Sequence, residues 1–275
     1  MASASREHAR GSPAGRVPWP LGVPALVGAA FLLVPLVALL VRAPWHGMAD
    51  LVRSGPVLDA LRLSLVSATL ATAVALVLGV PLAFVLARSS LPGTGILRAL
   101  VTLPLVMPPV VGGVALLYAL GRNGLVGQWL DQWFGLTVPF TPGAVVIAEA
   151  FVAMPFLVVT VEGAVRARDR GFEEAAATLG ASRLRTFWRV TLPLVRPPLV
   201  AGAVLCWARA LGEFGATITF AGNVPGRTQT MPLATYIALQ TNPQAATALA
   251  LVLLAVSAVV LVALRERWFY AGGRQ

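Results

Sequence analysis

Arg209, Glu213 and Thr217 recur at every fourth position inside an apolar stretch, so a continuous helix would carry a guanidinium, a carboxylate and a hydroxyl on one face. Ionisable groups are costly among lipid tails and turn toward protein or water. Such a set can meet an ion in passing, through weak contacts that also let it leave. Thr219, Asn223 and the backbone amides around Gly222 and Gly226 would add donors suited to an anion. Two readings of Arg209 and Glu213 stay open: a self-neutralising pair that locks helix packing, or part of an ion path in which the carboxylate is a poor neighbour for an anion. Two more carboxylates, Glu149 and Glu162, share another apolar run. Glu162 lies near one end, where it snorkels or meets Arg166 at i+4. Glu149 lies near the other end, where solvation rather than a gating role is expected.

Groups that make and break bonds are scarce. All 21 basic residues are arginine. Without lysine there is no Walker A P-loop and no Schiff-base chemistry. The histidines are His8, in a polar tail, and His46, in a short loop; they are too few for a triad or a His-rich metal site. Cys206 stands alone in an apolar run, so it offers no intrachain disulfide and no CxxC site, and reads as a buried structural thiol. The chain is therefore expected to be no enzyme by itself and to bind no metal or cofactor.

The elements that position these groups follow from hydropathy. Hydrophobic residues make up 57% of the chain and charged ones only 12%, about half the charge of a soluble domain, which makes this an integral membrane protein. A net charge of +10 could suit nucleic acid, but the arginines sit between apolar runs rather than on one polar face, so no nucleic-acid partner is expected. Residues 1–20 form a polar tail expected to be disordered. Apolar runs at 21–41, 61–87, 97–120, 144–165, 198–220 and 245–264 are each long enough for a hydrocarbon core of about 30 Å, and predict six transmembrane helices. The first is too long for a signal-peptide core and lacks a clear cleavage site, so it reads as a retained helix. The third is interrupted by Pro104, Pro108, Pro109, Gly112 and Gly113. These residues either allow close helix packing or supply irregular backbone that lines a cavity.

Most of the 21 arginines precede the first run, follow the last, or lie between the second and third and between the fourth and fifth. With six spans all four segments share one side, which places both termini and residues 166–193 in the cytoplasm. That last segment is the one polar, arginine-studded stretch between spans. Glu173 and Glu174 begin a short helix, where carboxylates favour the positive end of the helix dipole. Ala175, Ala176 and Ala177 give it a small surface that a partner can approach. Gly180 permits a sharp turn. Ser182 can cap a second helix carrying Leu184, Phe187 and Trp188. Pro193, Pro197 and Pro198 end it and start the fifth span. From the residues alone the segment could equally lie on anionic lipid.

The order Glu174-Ala175-Ala176, then Gly180, then Val190-Thr191-Leu192-Pro193, resembles the EAA loop of ATP-binding-cassette (ABC) importer permeases. The family often has isoleucine where this chain has Val190. The resemblance runs from about Val57 to Leu264. The stretch Leu103-Pro104-Leu105-Val106-Met107-Pro108-Pro109 resembles the broken third span of molybdate and sulfate permeases. Ala208-Arg209-Ala210-Leu211-Gly212-Glu213-Phe214-Gly215 belongs with the same oxyanion group. Its continuation through Asn223-Val224-Pro225-Gly226-Arg227 to Met231-Pro232-Leu233 is most similar to the molybdate permeases.

The resemblance implies an all-α type I ABC importer permease of six transmembrane helices with a cytoplasmic coupling hairpin. The expected organisation is a tail at 1–20, a first helix and external loop at 21–56, a transmembrane domain at 57–265 and a second tail at 266–275. Glu174, Ala175, Ala176, Gly180, Leu192 and Pro193 would seat on the ATPase. Arg209, Glu213, Thr217, Thr219 and Asn223 would line the pathway. The implied partners are a second permease copy, two ABC ATPases that hold ATP and magnesium, an extracytoplasmic molybdate-binding protein and the lipid bilayer of a bacterial inner membrane. The implied cargo is molybdate, with tungstate chemically close. Sulfate or thiosulfate uptake is the alternative, and an ion-coupled secondary transporter is the rival from another class.

Overall fold

The computed structural model describes residues 19–89 and 92–269, and every regular element among them is helical. The chain divides into two compact units, at residues 1–43 and 44–275. In the first, α1 (Trp19–Val41) is apolar on all faces and 23 residues long, about 34 Å at 1.5 Å per residue and enough to span. Nearly all of the expected tail at 1–20, and the last six residues of the one at 266–275, lie outside the described residues.

The second unit opens with α2 (Met48–Arg53) and α3 (Gly55–Arg88). At 34 residues, α3 is about 51 Å long and overreaches the hydrocarbon core. There follow α4 (Thr94–Val106), α5 (Pro109–Leu120), α6 (Gly127–Phe134), α7 (Pro142–Arg166), α8 (Gly171–Thr178) and α9 (Arg183–Thr186). A π-helical stretch at Phe187–Thr191 leads from α9 into α10 (Leu192–Leu194). Last come α11 (Arg196–Leu211), α12 (Gly215–Phe220), α13 (Met231–Thr241) and α14 (Pro243–Phe269), which runs past the expected end at 264.

Among the described residues four helices, α1, α3, α7 and α14, are long and apolar enough to cross a membrane unaided. The two other expected spans exist in pieces. The third is α4 and α5, parted at Met107-Pro108, where both residues are extended. Consecutive prolines remove two N–H donors and push the preceding residue out of the helical region. The fifth is α11 and α12, parted at Gly212–Phe214. The segment Arg183–Leu194 meets α11 at 77°, so it is the return arm of a hairpin rather than part of that span.

The core forms where α3, α7 and α11 pack. The face of α3 that is buried is made of small residues, Ser64, Ser67, Ala68, Ala71, Ala75, Gly79 and Ala83, which lets α7 come close. A Cβ on Gly79 would lie 3.2 Å from Met154 and Val158, and one on Gly202 of α11 would lie 3.1 Å from Leu157. The two divided spans also meet. A Cβ on Gly113 of α5 would fall 2.6 Å from the Thr219 Cβ and 2.9 Å from the Ala216 carbonyl of α12. Gly113→Val is therefore expected to destabilise the protein by about 1–3 kcal/mol through overpacking. Gly163→Val, where nothing lies within 4 Å, is the control. Equal shifts of the two unfolding temperatures in detergent would contradict this packing.

Candidate functional site

Between α7 and α11 the chain forms a polar hairpin, α8 to α10. Its first helix starts where the Asp169 carboxylate accepts the Gly171 N–H at 3.0 Å. It stops at Gly180, whose φ is +79°. The Ala181 N–H reaches the Ala176 carbonyl at 3.0 Å and the Gly180 N–H reaches Ala177 at 2.9 Å. These two bonds form a Schellman ending, which needs the left-handed residue that glycine supplies. Ser182 then accepts the Arg185 N–H at 3.4 Å and caps α9, as its position predicts. The second helix is not regular: its turns widen between Phe187 and Thr191 before Leu192 and Pro193 close the arm.

The hairpin has an open side. Glu174, Ala175, Ala177, Gly180 and Pro193 are exposed, while Ala176 and Leu192 are half-buried. Leu179, Leu184 and Trp188 form apolar exposed points, Leu179 at 87%. Glu173 turns the other way. It pairs with Arg88 at the end of α3 at 3.1 Å and accepts the Thr191 hydroxyl at 3.1 Å. Neighbouring residues on a helix point about 100° apart, so the double glutamate faces two different surroundings.

At the same end, Glu162 meets Arg166 at 3.2 Å, as its i+4 spacing predicts, and also Arg98 of α4 at 2.7 Å. Both arginines donate to the Leu86 carbonyl at 3.2 Å. That carbonyl lies in the last turn of α3, where no intrahelical donor follows. Three helix ends are thereby tied around one carboxylate.

The expected pathway residues are brought together only in part. Arg209 and Glu213 pair at 2.6 Å. Because α11 ends at Leu211, Thr217 stands on α12, and the predicted single face of Arg209, Glu213 and Thr217 does not exist. Glu213 instead accepts the Ala216 N–H at 2.9 Å, satisfying an open amide at the start of α12. Arg209 keeps 29% of its side chain exposed, whereas Glu213 is buried. Thr217 is buried, and its hydroxyl has no hydrogen-bond partner among the described residues. Thr219 spends its hydroxyl on the Gly215 carbonyl at 2.8 Å. Asn223, in the loop after α12, accepts from Gln229 at 3.0 Å.

Glu149 corrects an expectation. It is 1% exposed rather than solvated, and its Oε1 accepts the Ser67 hydroxyl at 2.8 Å. Its height along α7 suggested water, but the face it occupies packs on α3.

A family model described as binding-protein-dependent transport system inner membrane component matches residues 75–269. The chain belongs to that family. The permease is 47% identical over 245 residues to the molybdenum transport system permease protein ModB of Mycobacterium tuberculosis, covering 89% of this chain and 92% of that one. It is 38% identical over 245 residues to the sulfate transport system permease protein CysT of Escherichia coli, covering 88% of each. Its fold matches a crystal structure of a bacterial ABC transporter involved in import of the acidic polysaccharide alginate. That match has a TM-score of 0.74 at 16% identity and covers 92% of this chain and 95% of that one. The permease therefore has the importer fold that its sequence resembles, with two of the six expected spans divided.

Sequence reasoning missed the partners that hold the permease's polar groups in place. Ser67 against Glu149, Arg98 against Glu162 and Arg88 against Glu173 are separated by 82, 64 and 85 residues. Ser64 of α3 was missed too; its oxygen accepts the Met231 N–H at 2.8 Å and ties down the start of α13. A serine pair on a span's small-residue face was the available signal for Ser64 and Ser67, because such faces are where helices approach.

Proposed function

We propose that this permease is the membrane subunit of an ABC importer that takes up molybdate, with tungstate as a chemically close second cargo. The observation that carries the reading is the hairpin between α7 and α11: it is built by defined caps, yet it presents Glu174, Ala175, Leu179, Gly180 and Pro193 to the outside. A first helix that ends in a fixed turn and presents one carboxylate among small residues and the apolar Leu179 suits insertion into a groove on a partner protein.

In this reading two permease copies form the pathway in a bacterial inner membrane, with both termini and the hairpin in the cytoplasm. Two ATPase subunits hold ATP and magnesium, and this chain holds neither. Closure of the ATPases moves both hairpins and tips the paired permeases outward, an external binding protein releases its anion, and hydrolysis resets the pair. Arg209 is the pathway's cation, paired with Glu213 so that an anion meets a reduced positive charge and can leave again. The higher identity to the molybdenum permease than to the sulfate permease supports molybdate as cargo.

The test is ATPase activity and uptake by permease, ATPase and binding protein reconstituted in vesicles. Stimulation by molybdate at concentrations where sulfate does nothing is the expected result. Preference for sulfate would overturn the cargo, and uptake that needs no ATP would overturn the importer class.

A further inference from the structure

Phe84 and Arg88 stand one turn apart on α3 and hold the hairpin between them. The Phe84 ring meets Phe187 edge-on at 5.0 Å between centroids. Arg88 donates through Nε and Nη2 to Oε1 of Glu173 at 3.2 and 3.1 Å, and through Nη2 to the Arg168 carbonyl at 3.4 Å. The same glutamate oxygen accepts the Thr191 hydroxyl at 3.1 Å. One atom therefore joins the hairpin's first helix, its return arm and the end of α3. The Arg88 and Glu173 side chains are 12% and 21% exposed, so water and salt screen them less than an open surface pair.

Beside these contacts lies a cleft of about 650 Å³, bordered by Val85, Ser89, Ala177, Ala181, Arg183 and Thr186. The hairpin is thus pinned to α3 at an aromatic pair and an ion pair, with open space next to them. Those pins give a displacement of the hairpin a direct route into α3, beside the packing of Leu192 against the core. From α3 it passes to α7 along the most extensive helix contact among the described residues, because a close-packed interior transmits displacement rather than absorbing it.

We propose that Arg88 and Glu173 are the inward half of the coupling device: Glu174 faces the ATPase, and its neighbour hands the movement to α3. This rests on the reading of the hairpin as the ATPase-docking element. Glu173 is then a positioning residue for transport, distinct in role from the residue beside it.

The experiment uses the full complex in vesicles and compares Arg88→Glu, Glu173→Arg and the double exchange. Molybdate imported per ATP hydrolysed and co-purification of the ATPase are read together. Each single variant should lower the import-to-hydrolysis ratio by about fivefold or more, the usual floor for a coupling between sites. The ATPase should still co-purify, and the double exchange should restore most of the ratio. Parental ratios in the single variants would overturn the proposal. So would loss of the ATPase from the complex, since the pair would then only shape the docking surface, and so would a double exchange no better than the singles. Parental complex that imports without ATP would instead overturn the underlying docking reading, and the proposal with it.

Discussion

Arg209→Met is expected to lower the permease's stability by about 2–3 kcal/mol, somewhat under the ~3–5 kcal/mol for breaking a fully buried pair, because Arg209 is 29% exposed and water offsets part of the loss. The cost arises at Glu213. Its side chain is buried, and its second oxygen caps the start of α12, so loss of the guanidinium leaves a buried carboxylate with one backbone amide as partner. Glu213→Gln should be milder, since an amide oxygen can still accept the Ala216 N–H. The double variant Arg209→Met, Glu213→Gln should recover part of the single arginine loss. Unfolding temperatures in detergent test this. A double variant showing the plain sum of the two single losses would mean that the residues do not act as a pair. Transport separates the two roles of Arg209: a double variant with restored stability but lost uptake would identify the cation as a pathway group.

Substitutions at Gly180 should leave the membrane core intact and still lower uptake. Nothing lies within 4 Å of a Cβ built there, so no clash accompanies a side chain. The cost comes from the backbone. At φ +79° an L-residue other than glycine loses about 1–2 kcal/mol, least for asparagine and most for a β-branched residue. The Schellman bonds from Gly180 and Ala181 depend on that conformation. Uptake should therefore fall in the order Gly180→Asn, Gly180→Ala, Gly180→Val, with the valine variant down by about tenfold if the strain converts fully into lost docking. The unfolding temperature of the transmembrane part should barely move, because the hairpin's open side touches none of it. Valine performing as well as asparagine would sink the argument that turn geometry governs docking. Gly180→Pro should behave like valine or worse, since proline also removes the N–H that bonds to Ala177.

The buried carboxylates show where sequence reading reaches its limit. Of the two outcomes open to Glu162, the structure has the pairing with Arg166, because four residues on a helix are spatial neighbours whatever the fold. Its second partner, Arg98, depends on how α4 packs across α7. Height along the span alone predicts water around Glu149, yet it is buried against α3. Height is legible in hydropathy; the direction of a side chain is not, when the span is apolar on every face. The fifth span failed differently. Its residues carry enough hydropathy for one helix, yet Gly212, Phe214 and Gly215 allow a break. The capping bond from Glu213 and the close approach of Gly215 to Pro109 stabilise that break from outside the local sequence.

The sequence by itself determined the membrane character of this permease, its apolar runs, and the caps and turn of the hairpin at Ser182 and Gly180. Each is set by transfer free energy or by backbone sterics acting over a few residues. The tertiary structure alone decided that Glu173 faces Arg88 while Glu174 faces outward, that Glu149 meets Ser67, and that Thr217 leaves the face of Arg209. Those outcomes depend on which helix faces come together. Contacts between residues more than 80 positions apart leave no periodic trace in one chain, because each partner looks ordinary on its own helix.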